Sequence, residues 1–222
     1  MIRTFATHTI RKQRELTNSF WNFTPCQGEK KGTIYKVVTP SCWENHPEFT
    51  NYRGEAEYSK KFEAEGNIRL EFKGVSHTAT IFLDGKEIAK HYNAYTNFSV
   101  IAKNLTRKEH TLTIRADNRF SAYSALHIPN DYMSYGGINR PVVLEELKEN
   151  IYLSYIHVTP YQENNIWKAK IEICIENISE KEICTCVKAT LAGKTILWEN
   201  TKIAGNTKLI VNAIEEFEMV EA

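Results

Sequence analysis

The residues best suited to chemistry lie in one polar loop, residues 127–140. His127, Asp131 and Tyr132 occur there within a few positions of one another, followed by the adjacent glycines at 136 and 137. An ionised aspartate accepts two strong hydrogen bonds from neighbouring hydroxyl groups, and tyrosine rings offer a stacking face. Glycine permits close backbone approach. The loop is therefore a candidate sugar-binding surface.

Each of these side chains also has a structural interpretation. A loop aspartate commonly caps a turn, and a loop histidine without partners commonly faces solvent. Tyr132 and Tyr135 could pack the loop onto a sheet as readily as stack on a ring. We interpret Gly137 and Arg140 as structural residues that shape the turn and anchor it to another segment.

Catalytic chemistry is not predicted for any residue of this chain. Adjacent carboxylates occur at Glu145-Glu146 and Glu215-Glu216, but neighbours on a strand point to opposite faces and cannot flank one bond. The seven histidines show no metal-ligand spacing. No catalytic residue, metal site or cofactor is therefore predicted.

The amino-acid composition limits which classes of binding partner and which cellular compartment are expected. The 28 basic residues nearly balance the 27 acidic residues, which gives no electrostatic argument for a nucleic acid or a charged membrane surface. Five cysteines without a Cys-x-x-Cys pair fit reduced thiols better than disulfides or a zinc site. The N-terminus lacks the apolar core of a signal peptide, and no run reaches membrane-spanning length. A cytoplasmic protein is predicted.

The elements that must position the loop are predicted to be strands, because the apolar residues recur with a period of two. The fold class is all-β, with two domains: residues 1–148 as a large β-sandwich and residues 149–222 as a smaller one. Residues 41–54 are predicted to form a long ordered loop, and Asp84-Gly85 a tight hairpin turn. Trp43, Tyr52 and Tyr58 are predicted to pack in the core. The predicted strands are 34–38, 56–62, 68–74, 78–83, 86–89, 98–100, 111–117, 142–147, 151–158, 166–176, 183–191, 195–199 and 209–211.

Six ordered motifs run through the chain. They occupy residues 16–23, 39–43, 52–58, 70–86, 95–98 and 131–140. In sequence they resemble Leu-x-Gly-x-Trp-x-Phe, Val-Pro-x-x-Trp, Tyr-x-Gly, an Asn-Gly-type hairpin, Tyr-Thr-Pro-Phe and Asp-x-x-x-x-(Ala/Ser/Gly)-Gly-Ile-x-Arg. Three departures occur: an extra residue separates Leu16 from Trp21, the glycine of that motif is missing, and Asn97 replaces the proline.

In this order the motifs resemble glycoside hydrolase family 2, which contains β-galactosidases, β-glucuronidases and β-mannosidases. The resemblance implies a jelly-roll sugar-binding domain followed by an immunoglobulin-like sandwich. It also implies a catalytic (β/α)8 barrel, which is absent from this chain. In the family the aspartate that matches Asp131 binds sugar hydroxyls. Asp131 is therefore a predicted substrate-binding residue, and Tyr132 and His127, which lie near it in sequence, are predicted to contact substrate as well.

The main hypothesis is that the chain is the non-catalytic N-terminal part of a retaining exo-β-glycosidase. The breadth of the family favours a galactosidase, whereas residues 51–54 and 131–138 look closer to glucuronidases. The partners implied are a carbohydrate substrate and the barrel of the parent chain, with no nucleic acid and no membrane. Two alternatives stay open: a stand-alone carbohydrate-binding module, and a structural domain for subunit contact within a homo-oligomer.

Overall fold

The chain folds into two compact units that divide between Lys148 and Glu149. The structure is a computed structural model and describes residues 12–120 and 135–217. Within these ranges regular structure is almost entirely β, apart from two short 3-10 turns at Trp43–Asn45 and Pro47–Phe49. The predicted all-β fold class is thereby confirmed.

The N-terminal unit, which ends at Lys148, is built from antiparallel strands. Its main sheet has the order β1-β11-β5-β9-β7-β8, with β2 pairing to β5 and β3 to β2. A second sheet of very short strands has the order β4-β10-β6. The strands are β1 (Gln13–Glu15), β2 (Ser19–Pro25), β3 (Tyr35–Thr39), β4 (Ser41–Cys42), β5 (Glu55–Phe72), β6 (Val75–Ser76), β7 (Thr78–Leu83), β8 (Lys86–Tyr92), β9 (Phe98–Asp117), β10 (Gly137–Ile138) and β11 (Val142–Leu147).

The two longest strands, β5 and β9, form the frame of this unit. They pair continuously from Glu55 opposite Asp117 to Phe72 opposite Phe98, with register shifts beside Gly66. A bulge of this kind bends a strand and increases its twist. The first half of β5 also pairs with β2, whereas its second half pairs with β11. The long hairpin therefore contributes to both layers of a sandwich.

One core lies between the two layers. Tyr58 and Ile114 come from the first half of the β5–β9 hairpin, Leu70 and Phe72 come from its second half, and all four belong to one buried cluster. Phe23 adds an aromatic centre, with its ring centroid 4.9–6.0 Å from three other aromatic rings. Burial of this apolar surface is the main favourable term for the unit.

Several local predictions are confirmed. The side chains of Ile68, Leu70 and Phe72 point inward as their alternation predicts, since all three are fully buried. Asp84 and Gly85 both have positive φ and connect β7 to β8, as a tight hairpin turn requires. Trp43 and Tyr58 are core residues, and the partly buried Tyr52 packs against them.

Two pairs of predicted strands each belong to one longer strand in the structure. The predicted strands 56–62 and 68–74 are parts of the single strand β5, and 98–100 and 111–117 are parts of β9. The stretches between them are mostly polar and exposed, apart from Ala102 and His110 in β9, so the alternation that marks a half-buried strand is interrupted there. Residues 41–54 are ordered as predicted, but they contain β4 and both 3-10 turns rather than an irregular loop.

The C-terminal unit, which begins at Glu149, is a smaller β structure of two sheets. Its strands are β12 (Ile151–Glu163), β13 (Ile166–Asn177), β14 (Ile183–Leu191), β15 (Lys194–Ile203) and β16 (Thr207–Phe217). One sheet has the order β12-β13-β16 and the other pairs β14 with β15. Ile171, Ile173, Val187 and Ile203 share a buried cluster, so the two sheets face each other. The immunoglobulin-like assignment of this unit stays a prediction.

Replacement of a core isoleucine tests the sandwich interior. Ile114→Ala should lower the free energy of unfolding by about 3–4 kcal/mol, because Ile114 is fully buried and truncation leaves a cavity. Ile34 lies in the same unit and is 66% exposed, so Ile34→Ala should change it by less than about 0.5 kcal/mol. Urea denaturation of the two variants measures both values, and equal losses would contradict the core assignment.

Candidate functional site

The predicted substrate-binding residues His127, Asp131 and Tyr132 lie outside the described residues. The structure does describe both ends of the segment that carries them. That segment leaves the sheet after β9, beyond Phe120, and returns at Tyr135, just before β10. How the two ends are held determines where the segment is presented, so the ends are the part of the candidate site that can be analysed.

The first end is fixed by Asn118, the residue after β9. Its side chain is almost fully buried. Its carbonyl Oδ1 accepts a hydrogen bond from the Gly54 backbone N–H at 3.0 Å. Its amide Nδ2 donates to Glu44 Oε1 at 3.0 Å. Next to it, the Arg53 guanidinium lies 4.3 Å from the centroid of the Phe120 ring, within range of a cation–π contact.

The second end is fixed at Gly136. The Gly136 N–H donates to both carboxylate oxygens of Glu44, at 3.0 and 3.1 Å. The Gly136 carbonyl accepts from the Trp43 backbone N–H at 2.9 Å. The Ser76 hydroxyl donates to the Tyr135 carbonyl. Strand β10 then pairs with β4 on one side and β6 on the other.

One carboxylate therefore joins both ends. Glu44 accepts from Asn118 on one side and from Gly136 on the other, and we call this arrangement the Glu44 bridge. Burial raises the pKa of the Glu44 carboxyl, opposed by hydrogen bonds that include the one from Gly136 and by the charge of Arg53. Both of its oxygens accept from protein donors, so the Glu44 bridge holds the two chain ends together.

Two glycines let the second end fit. A Cβ on Gly136 would lie 2.0 Å from Trp43 Cζ2, inside the indole ring. Gly137 has a φ of +123°, which L side chains rarely adopt, and a Cβ there would lie 2.7 Å from the Tyr58 hydroxyl. Gly137 is thus structural, as predicted from sequence.

The residues beyond β10 anchor the same turn. Arg140 Nη1 donates to the Tyr95 carbonyl at 2.9 Å, and the guanidinium lies 5.8 Å from the centroid of the Tyr95 ring. This confirms the prediction that Arg140 ties the turn to another segment. Tyr135 is 47% exposed and Tyr95 is 64% exposed, so two aromatic faces are open to solvent near the returning chain.

Sequence reasoning missed Glu44 and Asn118. Glu44 follows Trp43 in a polar stretch without periodicity, and Asn118 looks like an ordinary residue at a strand end. The two are 74 positions apart in sequence, and Glu44 and Gly136 are 92 positions apart. No local pattern indicates a contact over such distances.

The neighbouring carboxylates Glu145 and Glu146 have different partners, as expected of neighbours on one strand. Glu145 is buried against Arg69 Nη1 at 3.0 Å, whereas Glu146 pairs with Lys12 at 3.0 Å. The two neighbours therefore serve different partners and do not share a site. Among the described residues, no group of three or more His, Cys, Asp or Glu side chains could hold a metal ion. The described part of the chain also contains no helix long and apolar enough to cross a membrane.

The N-terminal unit is an all-β sandwich, an architecture that includes lectin-type jelly rolls. Residues 39–143 match the glycosyl hydrolase 2 galactose-binding domain-like family. Residues 39–143 therefore resemble the galactose-binding-like N-terminal domain of glycoside hydrolase family 2, and the resemblance inferred from the motifs is confirmed.

Three known proteins match more of the chain than that domain. One is a family 2 beta-galacturonidase from Eisenbergiella tayi, whose structure is bound to galacturonate; its sequence is 45% identical to this chain and the TM-score of the two structures is 0.89. The match covers 99% of this chain and 39% of that chain. A Formosa agariphila protein with the provisional name beta-glucuronidase is 26% identical over 170 residues, which cover 72% of this chain and 20% of that protein. Beta-glucuronidase 2 of Bacteroides uniformis, at 20% identity and a TM-score of 0.73, shares the fold. This chain spans well under half the length of each of them.

Replacement of Gly136 tests the close approach to Trp43. Gly136→Ala should lower the free energy of unfolding by about 3 kcal/mol, because the new methyl group would overlap an indole ring that is itself held by a hydrogen bond to the Tyr52 carbonyl. Gly28 provides a control, since a Cβ there meets no atom within 4 Å and only its φ of +80° opposes a side chain. Gly28→Ala should lower the free energy of unfolding by about 1 kcal/mol. Chemical denaturation compares them, and similar losses would argue against the packed glycine.

The pH dependence of stability tests the Glu44 bridge. Because burial raises the pKa of Glu44, the unfolded chain releases this proton at a lower pH than the folded chain does. This group should therefore make the free energy of unfolding fall as the pH rises above about 4.5. In Glu44→Gln that contribution is absent. The free energy of unfolding of the wild type minus that of the variant should therefore decrease from pH 4 to pH 7.

Glu48 gives a control of opposite sign. The pKa of Glu48 is lowered by hydrogen bonds from Lys30 and Tyr35, so its contribution to stability grows as the pH rises through the same range. The difference between wild type and Glu48→Gln should therefore increase from pH 4 to pH 7. Urea unfolding at a series of pH values measures both differences. The same sign for the two variants would refute the assignment of Glu44 as a buried, pKa-raised carboxyl.

Proposed function

We propose that this chain is the non-catalytic, sugar-binding N-terminal part of a retaining exo-β-glycosidase that releases terminal β-linked uronic acids. The observation that carries the proposal is the 45% identity over 99% of the chain to a beta-galacturonidase that binds galacturonate. The two other relatives described above have names of beta-glucuronidases. These names favour a uronide substrate over the neutral galactoside that the breadth of the family favours. A β-galacturonide is the first candidate substrate.

In this proposal the loop that holds Asp131 forms one wall of the sugar site. The Asp131 carboxylate accepts hydrogen bonds from two neighbouring sugar hydroxyls, with Tyr132 and His127 beside it. Support comes from the described ends of the loop. The Glu44 bridge and the Trp43–Gly136 contact fix both ends within one network of short hydrogen bonds. A loop held in this way positions substrate at a low entropic cost.

Bond breaking belongs to residues outside this chain in the proposal. Retaining hydrolysis needs two carboxyl groups about 5 Å apart, one as nucleophile and one as acid/base. The adjacent Glu145 and Glu146 are engaged in separate ion pairs, which supports their exclusion from that role. A catalytic barrel supplies the pair, and the C-terminal unit serves as the immunoglobulin-like connector between that barrel and the sugar-binding domain.

The setting is proposed to be the cytoplasm, with a carbohydrate as substrate and the barrel as covalent partner. All five cysteines are free thiols in the structure, which suits a reducing compartment. A homo-oligomer that buries part of these sandwich domains completes the proposal.

Hydrolysis assays test the function. The 222-residue chain should release no nitrophenol from 4-nitrophenyl β-D-galacturonide, β-D-glucuronide or β-D-galactoside. The longer protein that contains it should cleave the galacturonide with the highest kcat/KM. Turnover by the short chain would refute the non-catalytic assignment, and a preference for the galactoside would refute the uronide assignment.

Asp131→Ala in that longer protein should lower kcat/KM about 100-fold, because hydrogen bonds to a charged acceptor are lost in the transition state. Glu65→Gln, at an exposed carboxylate on β5, should leave it unchanged and controls for general effects of lost charge. Unchanged kinetics of Asp131→Ala would remove the loop from the site while leaving the family assignment intact.

A further inference from the structure

The C-terminal unit leaves part of its inner face open to solvent. In the antiparallel pairing of β12 with β13, Ile156 lies opposite Ile173 and Val158 lies opposite Ile171. Directly opposed side chains on paired strands lie on the same face of a sheet. Ile171 and Ile173 are buried, whereas Ile156 and Val158 are 42% and 48% exposed. The apolar face therefore continues from β13 onto β12, but it is not covered there.

The arrangement of the two sheets explains this exposure. The sheet β12-β13-β16 has three strands, whereas the sheet β14-β15 has two. Strand β15 approaches β16, and β14 contributes Val187 to the buried cluster that contains Ile171 and Ile173. Because β12 and β16 are the opposite edges of their sheet, no strand of the described part of the chain lies opposite β12.

The open edge of β14 borders the uncovered face. Within residues 12–120 and 135–217, β14 pairs only with β15, and residues 187–191 do so regularly, beyond the register shift that follows Thr185. Strand β14 contains no proline and one charged residue, Lys188, whereas the open edge of β12 carries Pro160. Proline and charge are what protect an edge from further pairing. A strand added to β14, at the usual spacing of about 4.8 Å, would lie opposite β12.

We propose that the open edge of β14, together with Ile156 and Val158, binds an extended segment of the same protein that lies outside these 222 residues. The segment adds a third strand to the sheet of β14 and β15. Its backbone pairs with residues 187–191, and apolar side chains at its alternate positions cover Ile156 and Val158. The proposal rests on the proposed function only in requiring a longer protein, and it does not depend on which sugar that protein cleaves.

A covalently attached segment is favoured over a second copy of the chain. The match to the Eisenbergiella tayi beta-galacturonidase covers only 39% of that chain, so a relative of this kind contains much more polypeptide. A tethered segment meets the surface at an effective concentration in the millimolar range, far above that of a separate protein in solution. Burial of apolar surface and pairing of the strand edge then offset the entropy lost when the segment becomes ordered.

Hydrogen exchange of the 222-residue chain and of the longer protein that contains it tests the added strand. In the 222-residue chain about half of the amides of residues 187–191 should exchange quickly, because alternate N–H groups of an edge strand point away from its partner. In the longer protein these amides should exchange at least about tenfold more slowly. Strand β13 is paired on both sides and should be protected in both proteins. Equally fast exchange of β14 in the two proteins would overturn the proposal.

Val158→Glu tests the covered face. It should change the Tm of the 222-residue chain by less than about 1 °C, because the side chain is already half exposed. In the longer protein it should lower the Tm by at least about 4 °C, since the added strand would bury the new carboxylate. Val158→Thr, a milder change, should lower the Tm of the longer protein by less than Val158→Glu does and leave that of the 222-residue chain unchanged.

Thr159→Glu is the matched control for this substitution. Thr159 is exposed on the opposite face of β12, where it pairs with Lys170, so the new carboxylate should change the Tm of neither protein by more than about 1 °C. Losses of equal size for Val158→Glu in the two proteins, or for the two glutamate variants in the longer protein, would overturn the covered face.

Analytical ultracentrifugation of the longer protein tests the identity of the occupant. A dimer that Val158→Glu dissociates would assign the surface to a second copy and overturn the tethered segment, whereas a slowly exchanging β14 in the monomer supports it. Failure of this proposal can be told apart from failure of the proposed function. A longer protein with a protected β14 that prefers a galactoside refutes only the uronide assignment, whereas fast exchange of β14 in a protein that cleaves a galacturonide refutes only the added strand.

Discussion

A single buried carboxylate, that of Glu44, links parts of the N-terminal unit that are far apart in sequence. It accepts a hydrogen bond from the Asn118 side-chain amide, where β9 ends, and another from the Gly136 backbone N–H, where the chain returns to β10. Water is largely excluded there, so these bonds are stronger than at the surface, and loss of either donor would leave an unsatisfied charge. The same burial raises the pKa of the carboxyl. A network of this kind favours one arrangement of the two chain ends over all others.

The bridge depends on the frame made by β5 and β9. The antiparallel pairing of Glu55 with Asp117 places the end of β9 beside residues 43–54, where Asn118 accepts from the Gly54 N–H. The aromatic core around Phe23 then fixes Trp43 and Tyr58, which shape the space left for the two glycines. Strand pairing, aromatic packing and hydrogen bonding thus act together to fix the two chain ends.

Sequence patterns predicted the parts of this architecture that local physics determines. Alternation marked Ile68, Leu70 and Phe72 as core, and Asp84-Gly85 gave its turn, because each depends on neighbours in sequence. The continuity of β5 was missed, since its exposed middle has no apolar face to alternate. Glu44 and Asn118 were missed for a different reason: their meaning arises only from contacts over more than seventy positions. The order of motifs, rather than periodicity, led to the family.

The contact between Gly136 and the indole of Trp43 has a consequence for how such a domain can diversify. Because the backbone lies directly against a buried ring, no side chain is tolerated at that point, and the adjoining end of the loop is fixed in space. The described hydrogen bonds of the Glu44 bridge all involve residues outside the segment between the two anchors. Substitutions within that segment which leave Glu44, Asn118 and Gly136 in place can therefore alter ligand preference without removing the contacts that fix its two ends.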